Sequence, residues 1–188
     1  MQYLALGIRC LIGVVFLVSS VSKVAGRGRF REFVLSVDGM NILPAALVRP
    51  VAVCVVVTEC AVWILLVAPA GAVAGLTVAA GLLAALAVAI SGALRRGVAA
   101  SCRCFGASAA PLGRLHVVRN WTLVALAVTG ALASRADGPA HMAAVLVTVT
   151  AGLMLGCLVA VLDEIAGLFR PLDIQPVKNA AGTTRGLR

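Results

Sequence analysis

Five stretches of this chain, 4–22, 45–68, 71–94, 117–134 and 141–162, are apolar enough and poor enough in charge to cross a bilayer. A hydrocarbon core of about 30 Å needs about 20 such residues per helix, because lipid offers the peptide groups no partner and the helix must pair them internally. The whole chain agrees: 62% of its residues are hydrophobic, 12% are charged and the mean hydropathy is +1.08, outside the range of soluble domains. The expected fold is all-α, a polytopic transmembrane helix bundle with a four-helix core and a fifth C-terminal transmembrane helix.

The membrane domain is expected to occupy 1–169. Residues 170–188 mix Pro, Asp, Gln, Lys, Gly and Arg without apolar periodicity, and read as a basic, disordered cytoplasmic tail. Pro69 and Gly71 mark a tight hairpin between the second and third spans, since proline cannot extend a helix and glycine relaxes the turn. The segment 135–139, Arg-Ala-Asp-Gly-Pro, plays the same part between the fourth and fifth. The first stretch reads as a retained span rather than a cleaved leader, because no basic region precedes it and Arg9 lies within it.

Charge sets the expected orientation, since cytoplasmic loops keep Lys and Arg. Fourteen of the 16 basic residues flank one set of connections: Lys23, Arg27, Arg29, Arg31 and Arg49; Arg95, Arg96, Arg103, Arg114 and Arg119; Arg170, Lys178, Arg185 and Arg188. Arg9 and Arg135 are left for the other side. A multi-pass protein of a bacterial inner membrane follows, with its N-terminus outside and its C-terminus cytoplasmic. The net charge of +9 is explained by this topology and by anionic lipid headgroups, and no nucleic-acid motif is present.

Alternation of the spans brings the end of the first (Lys23), Cys54, the 101–106 loop, Arg119, Asn120, Cys157, Asp163 and Glu164 toward one face. Cys10 lies toward the other. Glu59, inside the second span, is the most expensive residue to bury: a carboxylate in an apolar helix costs several kcal/mol unless it is paired or faces a cavity. It is a candidate proton donor or acceptor, or equally one half of a structural pair with Lys23 or Arg119.

Covalent chemistry points to Ser-Cys-Arg-Cys-Phe-Gly at 101–106. A thiol reacts as its thiolate, and Arg103 between Cys102 and Cys104 favours that form. A disulfide between residues i and i+2 is small and readily exchanged, which suits electron transfer better than stapling. Cys54, Cys60 and Cys157 lie in helices, where cysteine is often a small packing residue; Cys54 and Cys157 share the leaflet of the paired loop and are the better redox candidates among them. Two thiolates also suit a soft metal ion, but a closed zinc site needs four ligands and only His116 and His141 are available, so no metal site is assigned. Gly71 with Gly75, and Gly152 with Gly156, place small residues four apart for close helix contact. Trp63 and Trp121 fit interfacial or packed positions.

Lys23 closing the first span, Glu59 in the second, the Cys102-Arg103-Cys104-Phe105-Gly106 loop and Arg119-Asn120 opening the fourth resemble, in order and spacing, the MauE family of DoxX-like membrane proteins. The resemblance covers roughly 4–132. It implies a small helical bundle related to membrane thiol-redox proteins and associated with methylamine utilisation, where members are linked to maturation of the disulfide-rich small subunit of methylamine dehydrogenase. It implies that Cys102 and Cys104 are the redox pair and that Glu59, Lys23, Arg119 and Asn120 are the polar residues around it.

The resulting expectation is a membrane thiol-disulfide oxidoreductase whose partner is an exported or membrane-associated disulfide-containing protein, or a thioredoxin-like protein. No cofactor motif is evident, and a lipid-soluble quinone is compatible as electron acceptor. A non-catalytic assembly or anchoring factor is the alternative, followed by soft-metal binding or transport. One tension stands: disulfide formation in exported proteins is extracytoplasmic, whereas the charge count puts the cysteine loop inside.

Overall fold

A computed structural model describes residues 1–26, 28–97, 114–134 and 141–168, the last seven as helical backbone. Its helices are α1 (Gln2–Val24), α2 (Arg29–Gly39), α3 (Ala45–Val67), α4 (Ala72–Arg95), α5 (Arg114–Ala133) and α6 (Met142–Leu168), with no strand among the described residues. Five are long and apolar enough to cross a membrane, all but α2. The expected all-α bundle is what forms. The 135–139 turn, the Cys102/Cys104 loop and the 170–188 tail lie outside the described residues.

α1, α3, α4 and α5 form a ring in which each helix packs on the next, α1 on α3, α3 on α4, α4 on α5 and α5 back on α1. The inward stripe of α4, Leu76, Ala79, Leu83, Ala87, Ile90 and Ala93, repeats every three or four residues, as a helix facing a core requires. Lipid tails are as apolar as these side chains, so cohesion comes from close packing rather than from escape from water. Thr58, Thr77, Thr122, Thr129 and Thr150, on the outer surfaces or their edges, each donate a hydroxyl hydrogen to the carbonyl four residues back, which satisfies that group in lipid.

Two seams set the heights of the helices. Pro69–Gly71 forms a 3₁₀ turn, and a Cβ at Gly71 would stand 2.6 Å from the Leu65 carbonyl oxygen, so the α3–α4 hairpin needs glycine there. Gly75 lies against Leu66, which also faces Gly13, and Gly130 lies against Ile8 and Leu76. Counted from these contacts at 1.5 Å per residue, α3 rises roughly 15 Å beyond the end of α1. At the opposite end Arg9 of α1 reaches the last carbonyls of α3, donating to Leu66 O and, at 2.7 Å, to Val67 O.

α6 packs on α1 and on no other described helix. Gly152 is backed onto the Gly7 carbonyl and Gly156 onto that of Leu11, so the second glycine pair is a seam as expected.

α2 corrects the sequence reading, which treated everything between the first span and the second, 23–44, as a connection. It is a short helix lying in the step where α3 outlasts α1, and it packs on both. Phe33 and Ser36 are buried, with Phe30, Val34 and Val37 partly so, against Ala52, Val56 and Cys60 of α3. Gly28, at φ +94°, turns the chain into it.

Candidate functional site

Among the described residues the apolar core encloses one charged cluster. Lys23, in the last turn of α1, and Glu59, midway along α3, are 2% and 1% exposed, and the ammonium donates to both carboxylate oxygens, at 2.8 and 2.9 Å. Ser19, one turn before Lys23 on the same face, donates its hydroxyl hydrogen to Glu59 Oε1 at 3.0 Å and accepts from Lys23 Nζ at 2.7 Å. Lys23 Nζ also donates to the Ser19 carbonyl oxygen at 3.3 Å. Such a pair survives burial only when its donors and acceptors are met, because removing two ions from water costs several kcal/mol each.

Helix geometry explains why these three meet. Residues i and i+4 stack on one face, so Ser19 and Lys23 project together from α1, and the upward displacement of α3 brings Glu59 level with them. α2 closes the cluster from above: the Phe33 ring is 2% exposed and its centroid lies 5.0 Å from Lys23 Nζ, a cation–π contact that compensates part of the lost hydration. The sequence left Lys23 and Arg119 open as partners of Glu59; the ion pair is with Lys23. The Arg119 guanidinium and the Cys60 thiol lie within electrostatic range of the Lys23 ammonium.

α5 presents His116, Asn120, Leu123, Ala127 and Gly130 to the core. Gly130 faces Ile8, and counting back ten residues on α5 while counting forward eleven on α1 puts Asn120 at the height of Ser19. Asn120 is 0% exposed, and neither its Oδ1 nor its Nδ2 has a hydrogen-bond partner among the described residues. A buried amide left so costs about 1–3 kcal/mol. Thus Lys23, Glu59, Arg119 and Asn120 all fall at one end of the bundle, where the ends of the cysteine-bearing segment, Gly97 and Arg114, also lie.

Cys102 and Cys104 themselves lie outside the described residues. Cys54 and Cys157 share the leaflet and are exposed on the outside of α3 and α6. Cys60, half-buried beneath α2 and next to Glu59 in the chain, is the helical thiol nearest the ion pair. Cys10 is also half-buried, toward the opposite face. His116 is buried at the ion-pair end and His141 is exposed at the other, and no group of three His, Cys, Asp or Glu side chains converges among the described residues. Ser19 and Phe33 were missed in the sequence. Ser19 carried a signal, lying four residues before Lys23 in an apolar helix; Phe33 carried only the spacing of Phe30, Phe33, Val34 and Val37.

Fold and site together define a multi-pass helical membrane protein built around a buried lysine–glutamate pair. The family model described as methylamine utilisation protein MauE matches residues 1–133, more than two thirds of the chain, and the protein belongs to that family. The match ends at Ala133, where α5 ends, so it takes in the four-helix ring and α2 but not α6. No match was found among curated proteins or among solved structures.

Proposed function

We propose that this protein is a membrane thiol-disulfide oxidoreductase that supports disulfide formation or maturation of a partner protein, with Cys102 and Cys104 as its redox pair. In the forward direction a partner thiolate attacks the Cys102–Cys104 disulfide, one cysteine leaves as a thiol, and the partner's second thiolate resolves the mixed disulfide. The partner gains a disulfide and this chain becomes a dithiol, having taken up two electrons and two protons. A lipid-soluble quinone accepts both and restores the disulfide; a thioredoxin-like protein with an oxidised pair would serve equally.

The observation that supports this reading best is the enclosed Lys23–Glu59 pair at the end of the bundle from which the cysteine-bearing segment departs and to which it returns. Thiol exchange needs protons delivered to leaving sulfurs and removed from attacking ones. A buried carboxylate held by an ammonium and a hydroxyl, with Arg119 nearby, is suited to that task. Cys102→Ser and Cys104→Ser are each expected to abolish partner oxidation while the protein accumulates normally in the membrane; a fully active double variant would overturn the reading.

The same pair also favours a second reading, a non-catalytic assembly or anchoring factor, because Lys23 ties α1 to α3 through Glu59 and Ser19 as a structural latch does. In that case the serine variants lose abundance and activity in proportion.

A further inference from the structure

We propose that Asn120 holds an internal water molecule on the bundle axis, and that this water extends the Ser19–Lys23–Glu59 cluster across the core to α5. Three observations converge on it. Asn120 is fully enclosed, with both side-chain polar atoms unmet by the described residues. It shares the buried stripe of α5 with His116, Leu123 and Ala127, the stripe that packs on α1 and α4, and its height is that of Ser19. α3 and α5 are diagonal in the ring and do not pack on each other, so Glu59 and Asn120 approach the axis from opposite sides.

The hydrogen-bond count identifies the ligand. Within the cluster Glu59 Oε1 accepts from Lys23 and Ser19, whereas Oε2 accepts from Lys23 and retains a lone pair. A carboxamide offers one acceptor and two donors. The group that fits between an amide and a carboxylate must donate to Oε2 and either donate to the amide oxygen or accept from the amide nitrogen, and it must be small, because Phe16, Leu83 and Leu123 are fully buried in the same core. Water meets each requirement, and buried waters characteristically make about three hydrogen bonds to otherwise unmet groups. The path then runs from Glu59 through the water to Asn120, one helical turn from His116, toward the end where the cysteine-bearing segment begins. Asn120 is a positioning residue in this scheme. The use of the path as a proton route rests on the redox reading; the existence of the water does not.

The test compares Asn120→Leu, which keeps the branched shape and removes the amide, with Asn120→Ser, which keeps a donor and acceptor and leaves space for water. Full-length protein in lipid nanodiscs is melted, and the rate at which dithiothreitol reduces the Cys102–Cys104 disulfide is measured. Asn120→Leu is expected to gain no thermal stability and to slow reduction on the order of tenfold or more, the scale of a lost proton-transfer group, while Asn120→Ser stays near the wild-type rate. An Asn120→Leu protein that melts higher than wild type and is reduced at the wild-type rate would show a dry, unpaired amide and overturn the proposal. Should Asn120→Leu fail to accumulate, a structure of the wild-type protein that resolves ordered water decides: density within hydrogen-bond distance of the Asn120 amide upholds it, and continuous side-chain packing there refutes it. A wild-type chain that never forms the disulfide would sink the redox reading and leave this density test intact.

Discussion

Lys23 and Glu59, thirty-six residues apart in the chain, are joined by both carboxylate oxygens and shielded by one aromatic ring. Both side chains are enclosed, 2% and 1% exposed, so the pair behaves as a unit. Replacing one member strands the other. Lys23→Met and Glu59→Leu are each expected to lower stability by about 3–5 kcal/mol, whereas the double replacement recovers most of that loss because apolar side chains of similar volume fill the same space. Melting in detergent, followed by size exclusion, checks this. If the pair also moves protons, the recovered double variant remains inactive; recovered activity would leave the pair with a structural role alone.

Phe33 is the part of α2 that covers the cluster, and it is held there against Ala52 and Val56 of α3. Phe33→Ala removes both the cation–π contact and the apolar cover, at an expected cost of about 3 kcal/mol or more. Cys60 lies in the same packing cluster, so in a variant retaining only that cysteine its labelling by a membrane-impermeant maleimide is expected to accelerate several-fold, while Phe33→Leu leaves it near the wild-type rate. Equal labelling in all three would mean that α2 does not screen this end of the bundle.

How much of this was legible in the sequence depends on whether the information was local. The spans were, because twenty apolar residues in a row have few other fates, and so was the turn at Pro69 and Gly71. Glu59 stood out for the same reason, as a charge where none is cheap. Its partner did not: Lys23 and Arg119 share its leaflet, and choosing between them requires the rotation and height of three helices, which the contacts at Gly13, Gly75 and Gly130 determine. α2 escaped because it is only eleven residues long and carries enough charge to pass for a loop. The exposure of Cys54 and Cys157 likewise depends on which way α3 and α6 face their neighbours.

The hold of α6 on α1 rests on backbone contact at two glycines. A Cβ at position 152 would stand 2.5 Å from the Gly7 carbonyl oxygen, too close for any real contact, whereas one at Gly81 on α4 meets nothing within 4 Å. Gly152→Ala is therefore expected to cost about 1–3 kcal/mol through forced separation of the helices. Gly81→Ala is expected to gain up to about 1 kcal/mol from helix propensity alone. Thermal melts of the two variants side by side check the sign as well as the size. Destabilisation of both would indicate a general intolerance of larger side chains rather than a specific α1–α6 seam.

Orientation decides where the partner must be. The described basic residues concentrate at the ion-pair end, with Arg29, Arg31, Arg49, Arg95, Arg96 and Arg114 exposed there, against Arg9 toward the other, and such an end is expected to face the cytoplasm. Arg96 and His141 are both exposed and lie at opposite ends, so single cysteines at these positions, in a chain stripped of its 6 native cysteines, report the two faces separately. Arg96→Cys is expected to react with an impermeant maleimide in inside-out vesicles only, and His141→Cys in intact cells only. With that result, the Gly97 and Arg114 ends of the cysteine-bearing segment are cytoplasmic, and oxidation of an exported partner requires a thiol path through the bundle, for which Cys60 beneath α2 is the nearest intermediate. The opposite labelling would place those ends outside, where disulfides of exported proteins form; the dithiol could then meet its partner directly, and the charge asymmetry would need a cause other than topology.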